Sequence, residues 1–251
     1  MSFQNKTVVI TGCNKGIGLE TLKFFFNSGA DIIACVRTKE KQFLEEVKNI
    51  QKNKKNKIIL KTLDLSKEED TKKIASEIIS EKNKIDILIN NAGTIQTSLF
   101  QMSSIKNFKR LFDVNFFNQV LFTQIILKSI IRNKKGNIIF LSSSSATDGN
   151  IGRSIYSTSK GAINSLTKTL SKELGRFNIR VNAIAPGLVD TDMANDNTEK
   201  SFKEDYIKLT SLNRVGKPKE IASIILSVCS DENSFLTGQI IRVDGGIWWK
   251  N

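Results

Sequence analysis

Short apolar runs rich in β-branched residues alternate along this chain with longer amphipathic stretches. The runs with strand character are residues 7–10, 31–36, 57–63, 85–89, 137–141, 180–184 and 239–243. The stretches with helix character are residues 17–28, 40–50, 68–81, 108–132, 156–177 and 218–229. Regular alternation of strands and helices is typical of a parallel sheet with helices on both faces. The nearly continuous apolar strands indicate that both faces are buried, and we predict a doubly wound α/β fold of about seven strands.

The chain has 251 residues, and its composition shows no linker, repeat or shift that would divide it. We therefore predict a single domain over residues 1–251. No apolar run reaches the roughly 18 residues that a membrane span needs. Residues 1–6 lead directly into the first strand and have neither the apolar core nor the cleavage site of a signal peptide. We expect a cytoplasmic protein without a membrane partner.

The chain contains no histidine and three widely spaced cysteines, Cys13, Cys35 and Cys229. The lack of histidine excludes a Ser-His-Asp triad, histidine metal ligands and imidazole acid–base chemistry. An odd number of cysteines without a Cys-x-x-Cys pair argues against a disulfide framework or a zinc site and suits a reducing compartment. We predict no metal, so any proton transfer falls to Tyr, Lys, Asp, Glu or Cys.

The formal net charge of +13 has two interpretations. It could form a surface for an acidic partner such as nucleic acid, anionic lipid or an acidic carrier protein. It could also reflect a composition rich in Lys, Asn and Ile. The lysines are scattered and do not cluster with aromatic residues as on a nucleic-acid-binding face, which favours compositional bias. We predict no nucleic-acid partner.

A glycine-rich loop, residues 11–18, joins the first predicted strand to the first predicted helix. Gly12 allows a tight turn, Gly16 lets the backbone approach a pyrophosphate, and Gly18 lets helix and strand pack closely. The bound anion would lie at the helix N-terminus, where free N–H groups and the helix dipole favour negative charge. Asn14, Lys15 and Ile17 complete this candidate Rossmann-like dinucleotide site. The alternative is an ordinary strand-to-helix turn.

The end of the second predicted strand indicates which dinucleotide is bound. An NAD site usually has Asp or Glu there to hold the ribose 2′-hydroxyl, whereas this chain has Cys35, Val36, Arg37 and Thr38. Arg37 can bind a 2′-phosphate through charge-assisted hydrogen bonds, and Lys15 could add a second cation. We prefer NADP(H), with NAD(H) possible. The alternative is that both cations belong to an ordinary charged surface.

Tyr156 and Lys160 lie four residues apart in a predicted helix and therefore share a face. A free tyrosine has a pKa of about 10. We expect the nearby ammonium of Lys160 to lower the pKa of Tyr156, making the phenol usable as an acid and a base. The alternative is a solvated helix face, since lysine is abundant in this chain.

Several motifs occur in register along the chain. They are the glycine loop 11–18, the Asn-Asn-Ala-Gly stretch 90–93, the set Asn115, Ser143, Tyr156 and Lys160, the stretch 186–191 and the Asp-Gly-Gly stretch 244–246. Together they resemble the short-chain dehydrogenase/reductase family over nearly the whole chain. Within that family the chain looks most like the 3-oxoacyl-[acyl-carrier-protein] reductases, although sugar, polyol and ketone reductases share the same framework.

The resemblance implies a catalytic tetrad. Tyr156 would exchange a proton with the substrate oxygen, and Lys160 would lower its pKa and hydrogen-bond the nicotinamide ribose. Ser143 would hold the substrate oxygen, and Asn115 would interrupt a helix and hold a water in a proton relay. Ser142, Ser144 and Ser145 leave the choice of serine open to an error of one residue, and Asn115 could be a plain helix residue.

The resemblance also implies cofactor contacts beyond the glycine loop. Asp64 and Leu65 would contact adenine, and Asn91 the adjacent ribose, although Asp64 could simply cap the next helix. Val189 and Thr191 would hold the nicotinamide carboxamide. The remaining implied contacts are Ala92, Gly93, Pro186 and Gly187.

The segment 192–215 would form a helical lid over the substrate, which we expect to be a small-molecule or acyl-carrier-protein-linked ketone. A basic rim of Arg132, Lys134, Lys135 and Arg176 could attract an acidic carrier. Relatives are usually homotetramers that pair through the helices predicted at 108–132 and 156–177 and through the last strand. Trp248 and Trp249 would pack at such an interface or in the local core.

Two other functions remain open at this point. One is a dehydrogenase for a sugar, a nucleotide-sugar or another small alcohol. The other is a non-catalytic dinucleotide-binding sensor, because a fold does not determine a function.

Overall fold

The computed structural model describes residues 1–81 and 84–248. Seven parallel strands form one sheet in the order β3-β2-β1-β4-β5-β6-β7. They are β1 (Thr7–Thr11), β2 (Asp31–Val36), β3 (Ile58–Thr62), β4 (Ile87–Asn90), β5 (Gly136–Leu141), β6 (Ile179–Pro186) and β7 (Ile240–Val243). The chain moves outward from β1 to β3 and then crosses to β4. In such sheets, ligands bind beyond the carboxyl ends of the strands at this reversal. The predicted doubly wound α/β fold is confirmed.

Helices connect the strands on both faces of the sheet. They are α1 (Gly16–Asn27), α2 (Lys41–Gln51), α3 (Glu68–Glu81), α4 (Ile105–Phe112), α5 (Asn118–Arg132), α6 (Ser145–Asp148), α7 (Ser154–Leu174), α8 (Asp192–Asn197), α9 (Lys200–Leu209) and α10 (Pro218–Cys229). The helices α4, α6, α8 and α9 were not predicted separately. They are short, and hydrophobic periodicity identifies a helix only over longer windows.

Two apolar layers enclose the sheet. Side chains alternate along a strand, so Val8 and Ile10 of β1 pack with α1, α2 and α10, whereas Val9 faces α3, α5 and α7. Phe25 of α1 and Phe122 of α5 are fully buried in opposite layers. This double burial explains why the strands read as continuous apolar runs.

The predicted helix 108–132 is broken by a π-helical turn, Asp113–Phe117, between α4 and α5. π-turns inside α-helices frequently occur at functional sites. The turn contains Asn115, in agreement with the expected local interruption.

The continuous helical stretch 105–132 is also long and apolar enough to cross a membrane by length and composition. The sequence analysis had found no apolar run long enough for a membrane span. Its residues Phe122, Ile126 and Ile130 are fully buried against the sheet, which is the packing of a core helix.

Candidate active site

A cavity of about 720 Å³ lies at the carboxyl ends of the strands, next to the reversal in strand order. Every residue predicted to bind a cofactor lines it. These residues are Gly12, Asn14, Lys15, Gly16, Ile17, Gly18, Arg37, Asp64, Leu65, Asn91, Ala92, Gly93, Tyr156, Lys160, Pro186, Gly187, Val189 and Thr191. Ser143 lines the cavity as well, whereas Asn115 is fully buried behind its wall.

The glycine loop forms a cradle with no room for side chains. A Cβ on Gly12, whose φ is +67°, would lie 2.7 Å from the Cα of Ala92. A Cβ on Gly18 would lie 2.2 Å from the carbonyl oxygen of Gly12. No side chain caps the N-terminus of α1, so its first N–H groups remain available to an anion. The residues present therefore fit the pyrophosphate of a dinucleotide.

Asn91 holds this cradle against β4. Its amide nitrogen donates to the carbonyl oxygens of Thr11 at 2.9 Å and Gly12 at 2.8 Å. The hydroxyl of Thr11 in turn accepts from the backbone N–H groups of Asn91 and Ala92. The side chain of Asn91, predicted from the resemblance to contact a ribose, is thus also a structural clamp.

The adenosine end of the cavity carries a carboxylate that the sequence analysis missed. Arg37 is exposed and lines the cavity, but Glu40 also lines the cavity and accepts from Asn14 Nδ2 at 3.1 Å and Thr38 Oγ1 at 3.3 Å. Glu40 lies beyond the strand end where an acid was sought. It brings negative charge close to the place predicted for a 2′-phosphate.

Lys15 pairs with the lid instead of standing free for a phosphate. Its ammonium lies 3.0 Å from the carboxylate of Asp192 at the start of α8, and this hydrogen bond raises the pKa of Lys15. In this structure Asp192 pairs with the cation that Lys15 was expected to contribute beside Arg37, and that expectation stays a prediction. The Thr191 methyl group also lies next to Gly16, so the glycine loop and the segment before α8 are in contact.

The candidate adenine contacts lie on the turn before α3. The carboxylate of Asp64 accepts from the backbone N–H and the hydroxyl of Ser66, at 3.0 and 2.8 Å. Asn118 donates to the carbonyl oxygen of Leu65 at 2.9 Å. Both residues are held from within the fold and still line the cavity.

Each serine after β5 has its own partner. Ser143 lies 2.9 Å from the hydroxyl of Ser145 and opposes the rise in the pKa of Tyr156. Ser142 donates to Asn164 at 2.6 Å, and Ser144 acts on the pKa of Tyr206. Ser143 is therefore the serine that acts on Tyr156, and its role in holding a substrate oxygen stays a prediction.

Lys160 lies one turn beyond Tyr156 and is almost fully buried. Its ammonium donates to the carbonyl oxygen of Leu141 at 2.6 Å and lies 5.8 Å from the centroid of the Tyr156 ring. Burial lowers the pKa of Lys160 to about 8, because a desolvated ammonium loses its hydration. The predicted pairing of the two residues on one helix face is present.

The expected direction of the Tyr156 pKa is wrong in this structure. Burial raises the pKa of Tyr156, and the hydrogen bond from Ser143 and the charge of Arg153 only partly oppose it. Desolvation of the phenolate outweighs the neighbouring cation. The cation that acts on Tyr156 is Arg153, three residues earlier in the chain, which the sequence analysis did not single out.

Asn115 acts on the cavity through Thr94. Its side-chain oxygen accepts from the N–H of Thr94 at 2.8 Å, and its nitrogen donates to the carbonyl oxygen of Thr94 at 2.9 Å. The same nitrogen lies 3.2 Å from the hydroxyl of Ser159. The π-helical turn delivers this side chain to a wall residue of the cavity, and the suggested water relay stays a prediction.

The segment predicted to form a lid contains the helices α8 and α9, and residues of both line the cavity. Thr191 caps α8 by accepting from the N–H of Ala194. Tyr206 of α9 is buried, and its hydroxyl accepts from the N–H of Leu188 at 3.0 Å. Tyr206 was not predicted, although an aromatic residue in an otherwise polar segment is a signal that the segment packs on something.

The proposed basic rim lies at the wrong edge of the sheet for this cavity. Arg132, Lys134 and Lys135 precede β5, and Arg176 precedes β6, so all four lie near the amino ends of the strands. Lys135 is paired there with Asp231 at 2.9 Å. Within one chain these residues cannot surround the mouth of the cavity, because parallel strands bring all their carboxyl ends to the other edge.

The thiols of Cys13, Cys35 and Cys229 are buried, and burial raises the pKa of Cys35 and of Cys229 to about 12. They are therefore protonated at neutral pH. Among residues 1–81 and 84–248, no group of three His, Cys, Asp or Glu side chains could hold a metal ion. Trp248 is 50% exposed, which argues against the local core for this side chain. Trp249 lies outside the described residues.

Comparisons with known proteins identify the family of this chain. The family model of the short chain dehydrogenases matches residues 6–201. The 3-oxoacyl-[acyl-carrier-protein] reductase FabG of Thermotoga maritima is 34% identical over 98% of this chain and 99% of its own. The solved structure of a 7α-hydroxysteroid dehydrogenase with NADH and 7-oxo glycochenodeoxycholic acid superposes with a TM-score of 0.91, at 29% identity over 98% of this chain and 95% of that one.

A further solved structure, from Beutenbergia cavernae and described as an NAD(P)-dependent gluconate 5-dehydrogenase with bound NADP, also superposes with a TM-score of 0.91. It is 25% identical and covers 98% of this chain and 97% of its own. The resemblance deduced from the sequence motifs is confirmed. This chain belongs to the short-chain dehydrogenase/reductase family and is an NAD(P)-dependent oxidoreductase acting on CH–OH and C=O groups.

Proposed function

We propose that this enzyme reduces a ketone to a secondary alcohol with NADPH, and that the ketone is a 3-oxoacyl thioester carried by an acyl carrier protein. The observation that carries the proposal is the meeting of Ser143, Tyr156 and the buried Lys160 in the wall of one cavity. Support for the thioester comes from relatives in several bacteria named 3-oxoacyl-[acyl-carrier-protein] reductase.

In the proposed reaction the protein handles the proton. Ser143 and Tyr156 hold the ketone oxygen between their hydroxyl groups, and Tyr156 donates its proton as negative charge develops there. Lys160 restores the proton, and its pKa of about 8 makes it able to give and take one near neutral pH. Asn115 positions the wall through Thr94. The bound nicotinamide supplies the hydride.

The preference for NADPH rests on Arg37, which is exposed at the adenosine end of the cavity. A guanidinium there favours a 2′-phosphate, whereas Glu40 opposes it. We propose that Arg37 prevails, because Glu40 already accepts hydrogen bonds from Asn14 and Thr38. NAD(H) remains the second choice.

We further propose a homotetramer in the cytoplasm, without a nucleic-acid or membrane partner. Exposed apolar side chains at the start of α4 and in the π-turn, among them Phe100, Ile105 and Phe117, support an interface on this face. The half-exposed Trp248 supports a second contact near the C-terminus.

The test is a steady-state assay of nicotinamide oxidation with purified protein. The substrates are an acetoacetyl-carrier-protein thioester, methyl acetoacetate, a ketosugar and a quinone, each with NADPH and NADH. The proposal expects the highest kcat/KM for the thioester with NADPH. A higher kcat/KM for the ketosugar would favour the small-alcohol dehydrogenase that the gluconate 5-dehydrogenase neighbour suggests. Dinucleotide binding without turnover of any substrate would favour a sensor.

A further inference from the structure

Arg153 is a buried guanidinium in the wall of the substrate cavity. It is 8% exposed, directly precedes α7 and lines the cavity together with Tyr156. Arginine is almost never buried without a charged partner, because moving a cation out of water costs several kcal/mol. Among residues 1–81 and 84–248, no carboxylate forms an ion pair with Arg153. The burial of Arg153 therefore requires another explanation.

The hydrogen bonds of Arg153 leave part of the guanidinium unused. Nη2 donates to the carbonyl oxygen of Asn197 and lies 3.4 Å from the hydroxyl of Thr198, both in the lid. Nη1 is buried and has no hydrogen-bond partner within the described residues. A buried donor without an acceptor is rare and calls for an explanation, and a charged donor in the wall of a cavity is suited to an anionic group of a ligand. The unused donor lies where the lid meets the wall of the cavity.

The position of Arg153 relative to Tyr156 limits what such a ligand can be. Arg153 directly precedes α7, lines the same cavity as Tyr156, and its charge acts on the Tyr156 phenol. A ligand in this cavity can therefore present an anionic group to Arg153 while its ketone oxygen lies at Tyr156. The planar fork of a guanidinium matches the two oxygens of a carboxylate.

We propose that Arg153 binds the carboxylate of a 3-oxo acid, so that the enzyme reduces free 3-oxo carboxylates as well as the thioester. The inference rests on the ketone reduction proposed above and adds a substrate class to it. The carboxylate takes no part in the redox step. The ketone carbon accepts a hydride from the reduced nicotinamide, its oxygen accepts a proton from Tyr156, and the product is a 3-hydroxy carboxylate with the oxidised nicotinamide.

The experiment compares acetoacetate with its methyl ester, which differs by one negative charge. In Arg153→Gln we expect the ratio of kcat/KM for acetoacetate to that for the ester to fall about 10- to 100-fold, as expected for loss of a hydrogen bond to a charged group. Arg153→Lys keeps the charge and should retain part of the ratio. An unchanged ratio in Arg153→Gln would overturn the proposal.

A matched control separates charge recognition from fastening of the lid. The hydroxyl of Thr97 donates to the same carbonyl oxygen of Asn197 at 3.1 Å but carries no charge. Thr97→Val should weaken this contact with the lid and leave the acid-to-ester ratio as in the unaltered enzyme. If Thr97→Val and Arg153→Gln lower the ratio equally, Arg153 only fastens the lid and the proposal is wrong.

A binding measurement keeps the inference independent of turnover. With oxidised dinucleotide present, acetoacetate should raise the midpoint of thermal unfolding of the unaltered protein and not that of Arg153→Gln. Absence of this shift in the unaltered protein would overturn carboxylate binding, even if the thioester is reduced. A shift without any ketone reduction would instead contradict the proposed function and leave the carboxylate site standing.

Discussion

The floor of the cavity and its lid are held in place by different kinds of contact. The floor, residues 11–18 and 90–93, is held by buried hydrogen bonds to backbone, such as those from Asn91 to Thr11 and Gly12. The end of the predicted lid, residues 192–215, is tied by backbone hydrogen bonds to residues 245–248, whereas its start is held by polar side-chain contacts at its margin. Examples are the Lys15–Asp192 ion pair, whose side chains are 57% and 64% exposed, and the hydrogen bond from Arg153 to Asn197.

This difference separates what is rigid from what can respond to a ligand. A buried hydrogen bond that is broken leaves an unsatisfied group, whereas an exposed ion pair can be replaced by water at little cost. Tyr206 and Thr210 are buried exceptions in the lid, since Tyr206 anchors α9 to Leu188 and Thr210 forms a β-bridge to Ile247. We therefore expect the floor to change little on ligand binding and the lid to adjust around the Tyr206 anchor.

We expect the largest difference in activity between Tyr156→Phe and Tyr206→Phe. Each variant removes one phenolic hydroxyl, the first at the proposed catalytic centre and the second in the lid. Tyr156→Phe should lower kcat about 10²- to 10⁴-fold by removing the proton donor, with dinucleotide binding retained. Tyr206→Phe should cost less than about tenfold, through KM, since one hydrogen-bonding group that fastens the lid is lost. Steady-state kinetics and a dinucleotide titration check both. Equal losses in kcat would remove Tyr156 from its proposed role.

The floor should not tolerate a methyl group in its cradle. Gly18→Ala would place a Cβ against the carbonyl oxygen of Gly12, and we expect a loss of roughly 1–3 kcal/mol in the free energy of unfolding together with weaker dinucleotide binding. Gly175→Ala is the control, because no atom lies within 4 Å of the added Cβ. Denaturant unfolding measures the free energy of unfolding of both variants. An unchanged value for Gly18→Ala would show that the cradle can adjust to a methyl group.

We expect the buried Lys160 to lower the free energy of unfolding while it serves catalysis. The pKa of Lys160 is lowered by burial to about 8 from an ordinary value of 10.5, so the folded protein disfavours the ammonium. Lys160→Met should therefore raise the free energy of unfolding at pH 7 by roughly 1–2 kcal/mol while activity is lost. The lost hydrogen bond to Leu141 offsets part of this gain.

The sign of the pH dependence follows from linkage. Between about pH 8 and 10.5 the unfolded chain keeps the Lys160 proton and the folded protein has lost it, so the unaltered protein gains stability as pH rises. The advantage of Lys160→Met should shrink over this window. Thermal unfolding at a series of pH values measures it, and a variant that is less stable at pH 7 would contradict the argument.

The smallest effect is expected at the exposed margin of the lid. Asp192→Asn should change the free energy of unfolding by less than about 0.5 kcal/mol, yet it frees Lys15 for phosphate and should tighten dinucleotide binding a few-fold. Asp205→Asn, which breaks the exposed Lys208–Asp205 pair in α9, is the control and should leave dinucleotide affinity as it was. Calorimetric titration with the dinucleotide at low and high salt compares the two variants. If Asp192→Asn and Asp205→Asn have the same dinucleotide affinity, Lys15 does not contact the phosphate.

The sequence alone was sufficient to predict the sheet, the glycine cradle and the meeting of Ser143, Tyr156 and Lys160 in one cavity. Neighbouring side chains of a strand point to opposite faces of the sheet. The continuous apolar run Val8, Val9 and Ile10 therefore indicated a sheet covered on both faces. The glycines at 12 and 18 predicted a turn without room for side chains, although the atoms that crowd Gly12 belong to the distant Ala92. The family motifs predicted that Tyr156, Lys160 and Ser143 belong to one site.

Only the tertiary structure decided which groups meet at the mouth of the cavity. It brought Glu40 to the adenosine end, Asp192 to Lys15, Arg153 and Asn197 together, and Tyr206 beneath the lid, and it placed Arg132 and Arg176 at the opposite edge of the sheet. It also reversed the expected shift in the pKa of Tyr156, because desolvation depends on everything packed around the phenol. Local sterics and periodicity act within a few residues along the chain, whereas these contacts join residues far apart in sequence and depend on how helices and loops pack.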